Sequence, residues 1–168
     1  MVAAGCALLA LRPLFVPRWG VPALVTVFAV LLVFARLPTQ SSTRRARTET
    51  IPVLLLGVCA FAAGRLVGGG HAPQPLVLRV VALESLAAVA EEAFFRRFVY
   101  DALLPNGAAV AVAGSALLFA LVHVSVYGFW VLPIDLGAGL LLSWQRWATG
   151  SWTVPAGTHV LANLLVVM

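Results

Sequence analysis

The sequence predicts an all-α fold, a polytopic transmembrane helix bundle of six or seven spans. Hydrophobic residues make up 62% of the 168 residues, and charged residues only 10%. A soluble globular domain is about 45–50% apolar and about 25% charged, and a chain this short has too little interior to bury the excess. At roughly 20 apolar residues for each crossing, the chain has room for these spans and for no soluble domain besides.

The apolar runs predict two parts, residues 1–75 with the leading spans and residues 76–168 with the last four. The first run is weak, because Arg12 and Pro13 interrupt it. The turn-forming sequence Pro105-Asn106-Gly107 separates the fourth span from the fifth. In chain order the predicted spans are residues 2–17, 21–37, 51–67, 75–104, 107–125, 129–147 and 153–168.

The basic residues, all of them arginine, indicate how the bundle is oriented. Seven spans place the polar loop 36–50, the turn 105–107 and the loop 148–152 on one side, together with most of the arginines. Because positively charged loops stay in the cytoplasm, we expect loop 36–50 to be cytoplasmic. The arginines lie beside apolar runs and form no basic face, so we expect contact with the lipid bilayer and none with nucleic acid.

Several polar side chains interrupt the predicted spans, where an ionisable group is costly and is functional by default. Asp135 follows Pro133, and we interpret it as hydrogen-bonding to backbone groups that the proline leaves free. The remaining candidates lie in the fourth, fifth and seventh spans: Glu84, Glu91, Glu92, His123, His159 and Asn163.

The spacing of these residues predicts which of them meet. Glu92 and Arg96 are four residues apart, so they are neighbours on a helix and can pair. The pair leaves Glu91, about 100° further round the helix, free to face another element. Glu91 lies about 14 residues before the turn that ends the fourth span and His123 about 17 residues after it, so the two can meet.

Two more pairs at helical spacing complete a set that could catalyse hydrolysis. Phe119 and His123 share one helix face, and His159 and Asn163 share another. A carboxylate can act as general base towards water, while a histidine orients that water. Two further donors can stabilise the oxyanion of a tetrahedral intermediate. One glutamate with two histidines could instead hold zinc, and the spacing alone does not separate the two alternatives.

Three motifs follow one another on successive apolar helices: Glu91-Glu92-x-x-x-Arg96, Phe119-x-x-x-His123, and Thr149-Gly150-Ser151 leading to His159-x-x-x-Asn163. In this order they resemble the CPBP family of CAAX-prenyl-protease and bacteriocin-processing membrane proteins, which are related to the Rce1-type CAAX protease. The resemblance covers residues 76–168, and residues 1–75 carry no motif of this kind.

The resemblance implies an all-helical intramembrane protease of the glutamic type. It implies that Glu91 is the general base, that His123 contacts the same water, and that His159 and Asn163 form the oxyanion hole. It implies no cofactor, although an older view of the family as metalloproteases keeps zinc as an alternative. The residues expected to support the site are Glu92, Arg96, Phe119 and Glu84.

The resemblance also implies a membrane-associated protein or peptide precursor as substrate. The short chain and its arginine-only composition suggest a bacterial member in the cytoplasmic membrane, similar to the small myxosortase-type enzymes that process C-terminal anchors. Two alternatives from other functional classes stay open. One is a catalytically silent membrane scaffold or immunity protein of the same family, and the other is a proton-coupled carrier.

Overall fold

The computed structural model describes residues 1–39, 49–67 and 77–167, and within these residues every regular element is helical. The all-α prediction is therefore confirmed. Most of the predicted loop 36–50 and the predicted boundary between residues 75 and 76 lie outside the described residues. The α-helices are α1 (Val2–Ala10), α2 (Arg12–Arg36), α3 (Thr50–Val67), α4 (Leu78–Glu92), α5 (Tyr100–Leu103), α6 (Ala108–Tyr127), α7 (Leu132–Thr149) and α8 (Thr153–Val167).

Three of the described helices, α2, α3 and α6, are long and apolar enough to cross a membrane. The protein is accordingly an integral membrane protein, while the number of six or seven spans stays a prediction. Helices α4 and α8 have 15 residues each. At about 1.5 Å per residue, such a helix is shorter than a hydrocarbon core of about 30 Å.

The predicted first span, residues 2–17, is divided between two helices near the interruption that Arg12 and Pro13 indicate. Helix α1 ends at Ala10, and α2 begins at Arg12 with Pro13 in its first turn. Proline is favoured there because the first turn does not need its missing N–H donor. The predicted gap near residue 20 is a kink within α2, where Gly20 has φ 56° and ψ −138°, a backbone conformation accessible to glycine. The break at Leu11 therefore places Arg12 at the start of a helix and not in the middle of a span.

The predicted fourth span is helical from Leu78 onwards, but it is not a regular α-helix. A π-helical segment, Ala93–Val99, joins α4 to α5. Side chains from other helices bind two of its carbonyl groups: Ser115 Oγ donates to the carbonyl of Phe95 at 2.9 Å, and Arg146 Nε donates to that of Arg96, also at 2.9 Å. These bonds satisfy buried acceptors in a rare helix geometry that is frequent at functional sites.

The largest apolar cluster joins the N-terminal helices to this π-helical segment. Phe94 and Phe95 of the segment pack edge to face, with ring centroids 5.0 Å apart. Aromatic pairs in this arrangement add stability beyond their buried area. The cluster packs α1 and α2 against the π-helical segment. Its buried members are Leu9, Val27, Phe28, Leu31, Ala90, Phe94, Phe95, Phe98, Val99, Phe119 and Val122.

A polar contact ties α3 to α7 and α8. The buried amide of Gln145 donates from Nε2 to the carbonyl of Val53 at 2.8 Å and to Thr158 Oγ1 at 3.0 Å. Gly57 lies directly against this contact, because a Cβ atom there would meet the Gln145 amide and would come within 2.8 Å of Thr158 Cγ2. The missing side chain at Gly57 is what allows the three helices to approach.

We expect Gly57→Ala to lower the free energy of unfolding by about 1–3 kcal/mol, because overpacking displaces the Gln145 amide. The measurement is unfolding in mixed micelles with a rising fraction of sodium dodecyl sulfate. Gly64→Ala on the same helix is the control, since a Cβ there meets nothing within 4 Å. The control should be neutral or up to about 1 kcal/mol more stable, because glycine is a poor helix former. Equal losses in both variants would contradict the close packing at Gly57.

Candidate active site

Four of the predicted polar residues of the fourth, fifth and seventh spans come together inside the bundle. Glu91 and Glu92 lie at the end of α4, His123 lies near the end of α6, and His159 lies on α8. Their side chains are at most 13% exposed. Two adjacent carboxylates buried among apolar helices require partners, because an unpaired buried charge is very costly. Glu91 and Glu92 each contact a different set of partners.

The carboxylate of Glu91 contacts a different group through each of its oxygen atoms. Oε1 accepts a hydrogen bond from Nη1 of Arg12 at 3.0 Å. Oε2 lies 3.7 Å from Nε2 of His123, so the predicted meeting of these two residues is confirmed. This separation is too long for a direct hydrogen bond, and it is of the kind that one water molecule can bridge.

His123 is oriented by its own helix. Its Nδ1 lies 2.7 Å from the carbonyl oxygen of Phe119. Because a carbonyl group only accepts hydrogen bonds, Nδ1 carries the proton in this contact. In the neutral ring, Nε2 therefore presents its lone pair towards Glu91. Tyr127 stacks on the ring with an interplanar angle of 6° and supports this orientation from the end of α6.

Glu92 contacts Arg96 and His159 and is fully buried. Nε of Arg96 lies 3.2 Å from Oε2, which confirms the predicted pair at four-residue spacing. Nδ1 of His159 lies 3.0 Å from Oε1. When Nδ1 of His159 donates to Glu92, its Nε2 is the ring nitrogen left for another partner. The sequence did not predict that His159 and Glu92 pair.

Arg96 packs on Phe119, and the ring of Phe119 contacts both histidines. The guanidinium of Arg96 has no exposed surface, donates to the carbonyl of Gly139 at 3.3 Å, and lies 4.4 Å above the ring centroid of Phe119. The same ring lies between the two histidines, with centroids 4.6 Å from His123 and 5.9 Å from His159. Phe119 therefore packs against the imidazole rings of both glutamate partners.

Asn163 lies one helical turn beyond His159 and contacts a different glutamate. Its Nδ2 lies 3.4 Å from both the backbone carbonyl and the Oε2 of Glu84. These are long contacts at an exposed position, so the amide is weakly held. Asn163 thus keeps a donor that can turn towards a ligand, and Glu84 lies at the same edge of the site.

Two residues at the site have contacts that the sequence did not predict. Arg12 interrupts the predicted first span, yet it reaches Glu91 across 79 residues. The cost of an ionisable side chain in an apolar run is the signal that could have marked it. The interpretation of Asp135 is wrong: among the described residues its Oδ2 has no hydrogen-bond partner, and it lies 3.9 Å from Nδ1 of His123.

The zinc alternative requires protein ligands grouped around one ion. Within residues 1–39, 49–67 and 77–167, no three His, Cys, Asp or Glu side chains are placed so that they could hold a metal ion together. A catalytic zinc ion usually takes three protein ligands and keeps a fourth position open. Nδ1 of each histidine faces a partner on the protein, Phe119 for His123 and Glu92 for His159, so Nε2 is the ring nitrogen left on both.

Comparison with known families identifies the family of the chain. The family model of the type II CAAX prenyl endopeptidases, described as Rce1-like, matches residues 73–165, which is more than half of the chain. The chain belongs to the Rce1-like family, as its motifs predicted, and members of this family are normally proteases. No curated protein and no solved structure shows significant similarity to the chain. Helices α1, α2 and α3 lie outside the matched residues.

Proposed function

We propose, from the family membership and the geometry of the site, that the protein is an intramembrane endopeptidase of the glutamic type. It hydrolyses a peptide bond in a membrane-associated protein or peptide precursor. The observation that carries this proposal is the approach of Glu91 Oε2 to His123 Nε2 at 3.7 Å within a bundle of apolar helices. A carboxylate and an imidazole at this distance can both contact one water molecule.

In the first step the water donates one hydrogen bond to Oε2 of Glu91 and the other to the lone pair of His123 Nε2. Its oxygen attacks the carbonyl carbon of the scissile peptide bond while Glu91 accepts a proton as general base. A tetrahedral intermediate with a negatively charged oxygen forms. When the C–N bond breaks, the same proton passes from Glu91 to the leaving amine, so the base is restored.

The developing oxyanion is stabilised from α8. Glu92 accepts the Nδ1 proton of His159, so Nε2 is the nitrogen that faces the substrate. In the imidazolium form, whose charge Glu92 offsets, Nε2 carries a proton and donates a charge-assisted hydrogen bond. The amide of Asn163, one turn further along, supplies a second donor. Donors that are already in place in a site of low dielectric often contribute more to the rate of acyl transfer than any other effect.

We expect His159→Ala and Asn163→Ala each to lower kcat by about 10²–10³-fold with little change in KM, because each removes an interaction made in the transition state. The measurement is steady-state cleavage of a precursor peptide by the reconstituted full chain. Leu161→Ala, at an exposed position between the two on α8, is the control and should keep the wild-type kcat. A raised KM with an unchanged kcat would assign these residues to substrate binding instead.

The substrate class follows from where the site lies. A reaction centre inside apolar helices receives a substrate that is itself held at the membrane, and we place the protein in a bacterial cytoplasmic membrane. A precursor with a C-terminal sorting tail fits this arrangement.

Water activated by a glutamate needs no metal, so chelators should leave the rate of cleavage unchanged. Loss of cleavage on addition of a chelator would support the zinc alternative instead.

The test compares the membrane peptidome of cells carrying Glu91→Gln with that of the wild type. We expect one or more precursors to accumulate uncleaved in the Glu91→Gln cells, which names both the substrate and the reaction. Glu49→Gln, at an exposed position before α3, is the matched control and should accumulate nothing. Full complementation by a variant lacking both Glu91 and His123 would favour the non-catalytic scaffold, and Glu91-dependent proton flux without cleavage would favour the carrier.

A further inference from the structure

The contact between Arg12 and Glu91 joins a helix outside the family-matched residues to the proposed base. Arg12 is the first residue of α2, whereas the matched region begins at residue 73. The Arg12 side chain is 12% exposed, and its Nη1 lies 3.0 Å from Oε1 of Glu91. The break at Leu11 and the fixed φ of Pro13 define where this side chain leaves the backbone.

Stability alone does not account for this contact. The cost of removing two charges from water is of the same order as their attraction, so apolar replacements of a buried ion pair are often as stable. The ion pair instead determines the orientation of the Glu91 carboxylate. Arg12 occupies Oε1, and Oε2 is the oxygen left facing Nε2 of His123 at 3.7 Å.

We infer that Arg12 is a positioning residue, which holds the Glu91 carboxylate so that Oε2 faces His123 and the water to be activated. The inference rests on the proposed function, in which Glu91 is the base. It extends the site from the family-matched residues to α2. Because the carboxylate can rotate about its Cγ–Cδ bond, a fixed donor on one oxygen sets the direction of the other.

The contact itself is tested by infrared difference spectroscopy of the full chain in lipid vesicles. The difference between the wild type and Glu91→Gln isolates the bands of the Glu91 carboxyl group. We expect Arg12→Ala to shift these bands, because the strongest hydrogen bond to the carboxylate is lost. Arg18→Ala, exposed on the same helix, should leave them in place. Bands unchanged by Arg12→Ala would overturn the inference without any knowledge of the substrate.

The positioning role is tested by kinetics on a peptide copied from the precursor that accumulates in Glu91→Gln cells. We expect Arg12→Ala to lower kcat by about 100-fold with KM unchanged, since a small misplacement of a reacting group has an effect of this size. Arg12→Lys should recover part of the rate, because it keeps a cationic donor but not the planar fork. A merely structural arginine would show neither the kcat–KM split nor this partial recovery.

The amount of folded protein, measured by size-exclusion chromatography in detergent, normalises each rate. If Arg12→Ala does not fold, Arg12→Gln keeps a polar side chain but ends two atoms short of the guanidinium nitrogens, so it leaves Oε1 of Glu91 without its donor and should show the same loss of kcat. A wild-type kcat in folded Arg12→Ala, together with an inactive Glu91→Gln, would overturn this inference alone. Normal cleavage by Glu91→Gln would instead refute the proposed function from which it starts.

Discussion

Replacing Glu91 by glutamine is expected to lower kcat by about 10²–10⁴-fold, the usual contribution of a general base. Glutamine has nearly the same shape, and its side-chain oxygen can still accept the hydrogen bond from Arg12. It cannot accept a proton from water. The variant should therefore fold as the wild type does and fail in the chemical step, which is measured as kcat for cleavage of the precursor peptide by the reconstituted chain.

The control for this prediction is Glu49→Gln, which makes the same chemical change at an exposed position and should keep the wild-type kcat. Single-turnover measurements separate slow chemistry from slow product release. If Glu91→Gln turned over as fast as the wild type, Glu91 would not be the base. If its fold were lost, the carboxylate would have a structural role as well as a chemical one.

The features that could be predicted from the sequence are those set by local spacing. The pairing of Glu92 with Arg96 follows from their spacing of four residues in one helical segment. The approach of Glu91 to His123 follows from similar distances on either side of one short turn, and it needs no knowledge of other helices. Apolar composition established the helical membrane class because lipid leaves few other ways to satisfy the backbone.

The features that could not be predicted depend on packing between distant segments. The contact of Arg12 with Glu91 spans 79 residues, and the interruption of the first apolar run does not indicate which distant residue Arg12 meets. Asp135 comes close to His123 only because α6 and α7 pack side by side. The partner of His159 depends on how α8 packs on α4. Each of these is decided by tertiary contacts, which a periodicity in one segment does not contain.

The second large effect concerns stability, and it falls on Arg96. We expect Arg96→Leu to lower the free energy of unfolding by about 3–5 kcal/mol, because it leaves the fully buried Glu92 without its main counter-charge. The substitution also removes the donor to the carbonyl of Gly139 and the cation above the ring of Phe119. Unfolding in mixed micelles with rising sodium dodecyl sulfate measures the change.

Arg97→Leu is the matched control, since it changes the next residue in the same π-helical segment. Arg97 is half-buried, and no ion pair joins it to any residue in the described part of the chain. Its replacement should change the free energy of unfolding by no more than about 0.5 kcal/mol, as is usual away from buried networks. Equal losses at both positions would indicate a general sensitivity of the segment and no special role for the ion pair.

A double-mutant cycle separates the ion pair from the other contacts of Arg96. If the unpaired charge of Glu92 dominates the loss, then Glu92→Leu combined with Arg96→Leu should be less destabilising than the two single losses added together. The difference should be about 0.5–3 kcal/mol, the range for directly interacting residues. Additive losses would mean that Arg96 acts through Gly139 and Phe119 instead. The double variant also deprives His159 of its acceptor, so it should lose cleavage activity even where its stability recovers.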